Sequence, residues 1–154
     1  MNSLGAEVVQ YNRSQENLFR DELGQYDVIV NGILWDTDRT DHIIYREDLK
    51  RMKPGALIID IACDPNGGVE TCVPTTIEDP IYVIDGVTHY AVDHTPTLFW
   101  KTASECISSE VVKYIDFLIE ETADKHPVLS KCVNFIEGRI VDEMIAQYRS
   151  RHRL

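Results

Sequence analysis

Apolar and polar positions change rhythm along this chain, and each change marks a predicted element. After Gly5, Ala6-Glu7-Val8-Val9-Gln10-Tyr11 is short, β-branched and partly alternating, the pattern of a strand. Ser14 to Leu23 carries Leu18, Phe19 and Leu23 at helical spacing and predicts a short amphipathic helix capped by Ser14. Tyr26 to Val30 predicts a second strand. Arg46 to Met52 predicts a small helix, stopped by Lys53-Pro54-Gly55. Ala56 to Ile61 is the most apolar stretch and reads as a strand of a parallel sheet covered on both faces. Pro80 to Ile84 and Thr88 to Val92 predict two short strands around Asp85-Gly86.

From Pro96 onward the period lengthens. Phe99, Ala103, Cys106, Ile107, Val111, Ile115 and Leu118 recur at three- and four-residue steps. They predict one long amphipathic helix from Pro96 to Glu121, with Thr95 as its N-cap and Pro96 at its first position. Pro127 breaks the pattern. Cys132, Ile136, Ile140, Met144 and Tyr148 predict a last helix from Leu129 to Tyr148, with Gly138 inside it at a cost of about 1 kcal/mol relative to alanine. Strands alternating with helices, then two helices, give the α/β class: a partial Rossmann-like, mostly parallel sheet followed by two C-terminal helices. The boundary falls near Thr95.

Composition narrows the function classes. The 154 residues suffice for one cored domain, and a formal net charge of −11 argues against nucleic-acid binding, which rests on Lys and Arg neutralising phosphates. No apolar run has the length of a membrane span and no signal-peptide pattern opens the chain. The 4 cysteines, Cys63, Cys72, Cys106 and Cys132, form no CxxC pair and no zinc spacing, so no metal site is expected. They read as reduced thiols filling the core of a cytoplasmic protein.

Three polar clusters fall where strands end, and ligands of open α/β sheets bind outside the carboxyl ends of strands. Tyr11-Asn12-Arg13-Ser14 follows the first predicted strand. An acidic residue there bonds adenosine ribose hydroxyls, whereas an arginine accommodates the extra phosphate of NADP. Asn12 stands where the acid would be and Arg13 follows, which leans toward NADP(H), with NAD(H) as the alternative. A polar loop with Ser14 capping is the plainer reading. Asp64 follows Ile61-Ala62-Cys63 and opens the tight Pro65-Asn66-Gly67-Gly68 turn, in which glycine takes positive φ. A carboxylate there is placed to bond an amine or imine, or it is a turn aspartate. Asp93-His94-Thr95-Pro96 joins a titratable pair to a helix start, with ordinary capping by Thr95 as its alternative. Trp35 either flanks a nucleotide or is a surface aromatic. His89 reads as a hydrogen-bonded, half-buried histidine. Asp36 to His42 lacks the glycine and glutamate of a calcium loop and reads as a solvated connection.

The order of Y-D-V-I-V-N-G-I-L, L-K-R-M-K-P-G-A-L-I-I-D-I, D-P-N-G-G-V-E-T, P-T-T-I-E-D-P-I-Y-V-I-D-G-V-T-H-Y and D-H-T-P-T resembles the alanine dehydrogenase, transhydrogenase and saccharopine dehydrogenase superfamily over roughly Gly5 to Leu118. Asn12-Arg13-Ser14, Tyr26 to Gly32 and Asn134-Phe135-Ile136-Glu137 are most similar to the N5-(carboxyethyl)ornithine synthase family. The resemblance implies reductive condensation of an ornithine or lysine amine with a 2-oxo acid such as pyruvate, using NADPH. An alanine dehydrogenase-type enzyme using NAD is the alternative, as is a non-catalytic binding or assembly subunit. By position, Asp64 matches the acidic residue beside nicotinamide and substrate, and His94 the polar active-site position; in alanine dehydrogenase an asparagine matches His94. Ile33 and Leu34 match backbone contacts to the cofactor, Ile61 a residue lining the nicotinamide site, and Asn12 and Arg13 the ribose selector.

The resemblance also implies that residues 1–94 are the C-terminal part of a dinucleotide-binding domain. Residues 95–154 would be a helical segment packing on a substrate domain or an oligomer partner. The family's catalytic lysine and histidine, its substrate-binding arginine and its glycine-rich phosphate loop have no counterpart in these residues. The chain is therefore expected to be a C-terminal part, inactive alone, completed by an N-terminal half or working as a homo-oligomer.

Overall fold

β-branched and apolar runs flanked by turn formers build the strands of this chain. The computed structural model describes residues 5–36 and 39–152, without the side chain of His152, and divides into two compact units, Met1–Leu98 and Phe99–Leu154. The first unit holds a four-stranded sheet of β1 (Val28–Asn31), β2 (Leu57–Asp60), β3 (Ile81–Ile84) and β4 (Val87–Tyr90), in the order β1-β2-β4-β3. β1 pairs parallel to β2 and β2 parallel to β4, while β3 runs antiparallel to β4. Val30 lies opposite Ile59, which lies opposite Tyr90, and Asn31 lies opposite Asp60. The carboxyl ends of β1, β2 and β4 therefore share one edge.

Asp85 and Gly86, at φ 49° and 83°, make the two-residue turn between β3 and β4, the geometry that matches strand twist in tight hairpins. Burial alternates along β1 and β2, so Ile29, Asn31, Ile58 and Asp60 face inward. With Leu23, Ile44, Leu49, Val69 and Val87, the apolar members of that face make the core. The other face is not covered as the apolar run implied, because Val28 and Val30 are about half exposed.

Other local expectations are corrected. Among the described residues Ala6–Tyr11 joins no ladder: a strand needs a hydrogen-bonded neighbour, and there β1 pairs with β2 alone. The first helix, α1 (Glu16–Glu22), follows a 3₁₀ turn at Arg13–Gln15 whose cap is Asn12, not Ser14. Arg46–Arg51 is a 3₁₀ helix closed by the Met52 N–H on the Leu49 carbonyl.

From Thr95 onward the expected long helix is divided. Thr95–Phe99 is a 3₁₀ turn, α2 spans Trp100–Val111, Val112–Tyr114 is again 3₁₀, and α3 spans Ile115–Ile119. The break follows Ser108-Ser109 and the β-branched pair Val111-Val112, and the Ser109 hydroxyl donates back to the Cys106 carbonyl at 2.7 Å. Leu129 to Tyr148 is not one helix. A 3₁₀ turn at Leu129–Lys131 precedes a hairpin of β5 (Phe135–Ile136) and β6 (Arg139–Ile140), then α4 (Glu143–His152). Glu137 and Gly138, at φ 48° and 77°, form the hairpin turn. The four-residue spacing of Ile136 and Ile140 suited a helix, but Ile140 pairs across the hairpin with Phe135. Among the described residues none after Val92 is buried. Cys106 and Cys132 are thus exposed rather than core, while Cys63 is buried and Cys72 half-buried, all as free thiols. No helix among the described residues is long and apolar enough to cross a membrane.

Candidate functional site

At the shared carboxyl edge, two buried polar residues sit between the exits of β1 and β2. Asn31 is 8% exposed and Asp60 3%. The Asn31 amide donates to Asp60 Oδ1 at 3.0 Å, and the Ala62 and Cys63 N–H groups donate to the same oxygen at 3.1 Å each. The Ile33 N–H donates to Asn31 Oδ1 at 3.4 Å, and the Cys63 thiol to the Asp60 carbonyl at 2.9 Å. Cys63 takes φ 51°, an unusual value for a residue other than glycine. Burial and then Asp60 push the Cys72 thiol pKa far up, so it is a bonded thiol rather than a nucleophile.

Asp64 follows at once. It is half-buried, and among the described residues its side chain has no hydrogen bond or ion pair. Its turn has Pro65 and then Asn66 at φ 51°, so Asn66 rather than a glycine takes the left-handed position. Gly67 serves close approach instead: a Cβ there would lie 2.7 Å from the Asp64 carbonyl oxygen. His42 Nδ1–H donates to the Gly67 carbonyl at 2.7 Å and ties the turn down.

β4 delivers the second mouth. His94 is exposed, and its Nε2 lies 3.5 Å from Asp93 Oδ2. Thr95 does not cap a long helix; its hydroxyl donates to the Val92 carbonyl at 3.1 Å and meets the Tyr90 hydroxyl at 2.8 Å. Burial, then the carboxyls of Asp60, Asp93 and Asp64, hold the Cys63 thiol up at about 11. β2 and β4 run parallel in register up to Ile59 and Tyr90, so their exits, which carry Asp64 and Asp93, leave the same edge side by side. Ile61 is 64% and Leu34 94% exposed on the same edge, while Ile33 packs partly into the core.

Asn12 is occupied as a cap: its Oδ1 accepts from the Ser14 N–H at 3.0 Å and the Ser14 hydroxyl at 2.6 Å. Arg13 is exposed and has no ion pair among the described residues. The Tyr11 hydroxyl meets Glu22 and the Tyr26 hydroxyl and anchors the approach to this turn. Trp35 is a core residue rather than a surface aromatic, with the Arg39 guanidinium 4.4 Å above its ring. In the Asp36–His42 loop, Thr37 and Asp38 lie outside the described residues; Arg39 grips Asp41 through two bonds of 2.7 and 2.6 Å.

His89 is fully buried beneath the sheet. Its Nδ1–H donates to the Val87 carbonyl at 3.1 Å, and the Thr71 hydroxyl donates to Nε2 at 2.8 Å. The Tyr82 ring stacks on it at 4.9 Å. Burial lowers the His89 pKa and keeps the ring neutral. The Asn31–Asp60 pair was missed as a site element, although the alternation along β1 and β2 puts both residues on the inner face.

A family model described as the alanine dehydrogenase/PNT C-terminal domain matches residues 1–143. Alanine dehydrogenase 1 of Staphylococcus aureus is 33% identical over 135 residues, 85% of this chain and 36% of that protein. A solved L-alanine dehydrogenase superposes with a TM-score of 0.73 at 23% identity, covering 97% of this chain and 42% of the other. A transhydrogenase from Sinorhizobium meliloti gives 0.61 at 19% identity, covering 93% and 38%. These structural likenesses establish the fold, and the chain spans 36% of the length of the curated relative above.

Proposed function

This chain belongs to the alanine dehydrogenase/PNT C-terminal domain family, and from that premise we propose that it forms the nicotinamide side of an oxidoreductase's dinucleotide-binding domain. The observation that carries this reading is the common carboxyl edge of β1, β2 and β4, where Leu34, Ile61, Asp64 and His94 emerge. The edge suits the group. Exposed Leu34 and Ile61 offer apolar walls to a flat ring. Asp64 and Asp93 make the edge acidic, which favours a cationic ring or amine and disfavours phosphate. Bound there, a reduced nicotinamide would supply a hydride.

The parent reaction is reductive condensation. The amine nitrogen of ornithine or lysine attacks the ketone carbon of a 2-oxo acid such as pyruvate. Water leaves, and the imine carbon accepts the hydride. Asp64 bonds the cationic amine or imine and orients it. His94 contacts a substrate carboxylate or moves a proton at Nε2, the atom nearest Asp93. At the adenosine end Arg13 favours NADP(H); Asn12, occupied as a cap, shapes the turn. The chain works with an N-terminal half or in a homo-oligomer, in the cytoplasm.

The test adds pyruvate and either NADPH or NADH to the chain, alone and together with an N-terminal half that carries the family's catalytic lysine and histidine, with ornithine, lysine or ammonia in separate arms. Dinucleotide consumption and product mass are followed. Dinucleotide binding with little or no turnover is expected of the chain alone, and a condensation product made with NADPH from ornithine or lysine is expected only when the N-terminal half is present. Robust turnover by the chain alone would contradict this reading. Turnover with ammonia and NADH alone would replace it with alanine dehydrogenase-type chemistry. Dinucleotide binding without turnover in any arm would leave a binding role.

A further inference from the structure

The strongest unassigned feature of the candidate edge lies beneath it. Asn31 and Asp60 are paired at the last register position shared by β1 and β2 and are withdrawn from solvent. Each also holds the backbone that leaves its own strand. Asn31 Oδ1 receives the Ile33 N–H, immediately before exposed Leu34. Asp60 Oδ1 receives the Ala62 and Cys63 N–H groups, immediately before Asp64. The 3.0 Å bond between the two side chains therefore couples the two exits. Neither residue reaches the surface to touch a ligand.

We propose that Asn31 and Asp60 form a positioning pair that fixes the β1 and β2 exits relative to each other and so sets the spacing between Leu34 and Asp64. The inference rests on the reading that this edge takes a reduced nicotinamide. An unpaired alternative is costly, because a buried polar group without a partner loses its hydration with nothing in return. Asn31→Asp is the informative break: it removes the only donor between the two side chains and sets two carboxyls against each other. Adding Asp60→Asn to the same chain exchanges the partners. The amide nitrogen at position 60 can then donate to the carboxyl at position 31, with its oxygen shifted to accept from Ala62 and Cys63. The carboxyl at position 31 still accepts from Ile33. In the wild-type chain, however, Asp60 Oδ1 alone accepts from Asn31, Ala62 and Cys63, so the exchange returns a donor to the pair and removes the charge repulsion only with the side chain at position 60 re-seated.

The experiment titrates NADPH into the wild-type chain, Asn31→Asp and the exchanged double variant, with urea unfolding and amide hydrogen exchange at Ile33 and Cys63 measured in parallel. The single variant is expected to bind NADPH about tenfold more weakly and to exchange faster at both amides. The double variant is expected to recover both properties in part, binding NADPH more tightly and exchanging more slowly than Asn31→Asp. If the single variant does not fold, recovery in the double variant still decides. A folded single variant that binds like wild type overturns the inference. So does a double variant that regains stability but not binding, since the pair would then be merely structural. A wild-type chain that binds neither NADPH nor NADH overturns the nicotinamide reading itself, and the inference with it.

Discussion

Replacing Gly67 with alanine should disturb the candidate site more than its effect on stability would suggest. The new Cβ would lie 2.7 Å from the Asp64 carbonyl oxygen, 0.7 Å inside the 3.4 Å at which ordinary contact begins. That oxygen is backbone, and Pro65 stiffens the next bond, so the turn must shift and carry Asp64 with it. A displacement of this size exceeds the ~0.5 Å within which a functional group must be held. Overpacking costs about 1–3 kcal/mol. Gly86→Ala is the control: Gly86 has φ 83° with nothing within 4 Å of the added atom, so its cost is backbone strain of about 1–2 kcal/mol, far from Asp64's turn in sequence. Urea unfolding and NADPH titration on both variants separate the effects. Similar losses of stability are expected, with about tenfold weaker NADPH binding only in Gly67→Ala. Equal NADPH binding by the two variants would refute the reasoning.

Further outcomes follow from the same geometry. His89 is buried with a lowered pKa, whereas the unfolded chain takes up its proton near pH ~6.5. Its stability contribution is therefore complete above that pH and is lost as pH falls through the folded pKa, at up to about 1.4 kcal/mol per pH unit. His89→Gln should flatten the acid limb of a urea-midpoint against pH curve, and an unchanged limb would speak against this origin. Asn12→Asp keeps the cap, so stability should hold within about 0.5 kcal/mol while the ratio of NADPH to NADH affinity falls about tenfold; Asn12→Ala should cost about 1 kcal/mol. In the second unit, Gly138→Ala meets φ 77° and should cost about 1 kcal/mol, with the largest amide shifts at Phe135 to Ile140; unshifted amides there would contradict the hairpin turn.

Much of the site-bearing half was legible because its signals are local. The apolar run ending at Ile61 announced β2, and Asp85-Gly86 announced the hairpin. The polar clusters at Asp64 and His94 marked strand exits. What escaped depended on partners. Ala6–Tyr11 has strand composition, but pairing is a property of two segments, and among the described residues no strand pairs with it. Phe135-Ile136-Glu137-Gly138-Arg139-Ile140 satisfied helical spacing, while its two positive-φ turn residues required a hairpin. Asn31 draws no reading from the sequence, and Asp60 lies inside the predicted Ala56–Ile61 strand without a role. Only the register that sets them opposite each other shows that they are inward-facing and bonded.

The most direct measurement is a titration of NADPH and NADH into the isotope-labelled chain, followed amide by amide. Saturable shifts are expected at Ile33, Leu34, Ile61, Cys63, Asp64 and His94, with further shifts at Asn12 and Arg13 that are larger for NADPH. No response from either dinucleotide, or shifts confined to β3 and the second unit, would contradict the placement of a nicotinamide at the carboxyl edge of β1, β2 and β4.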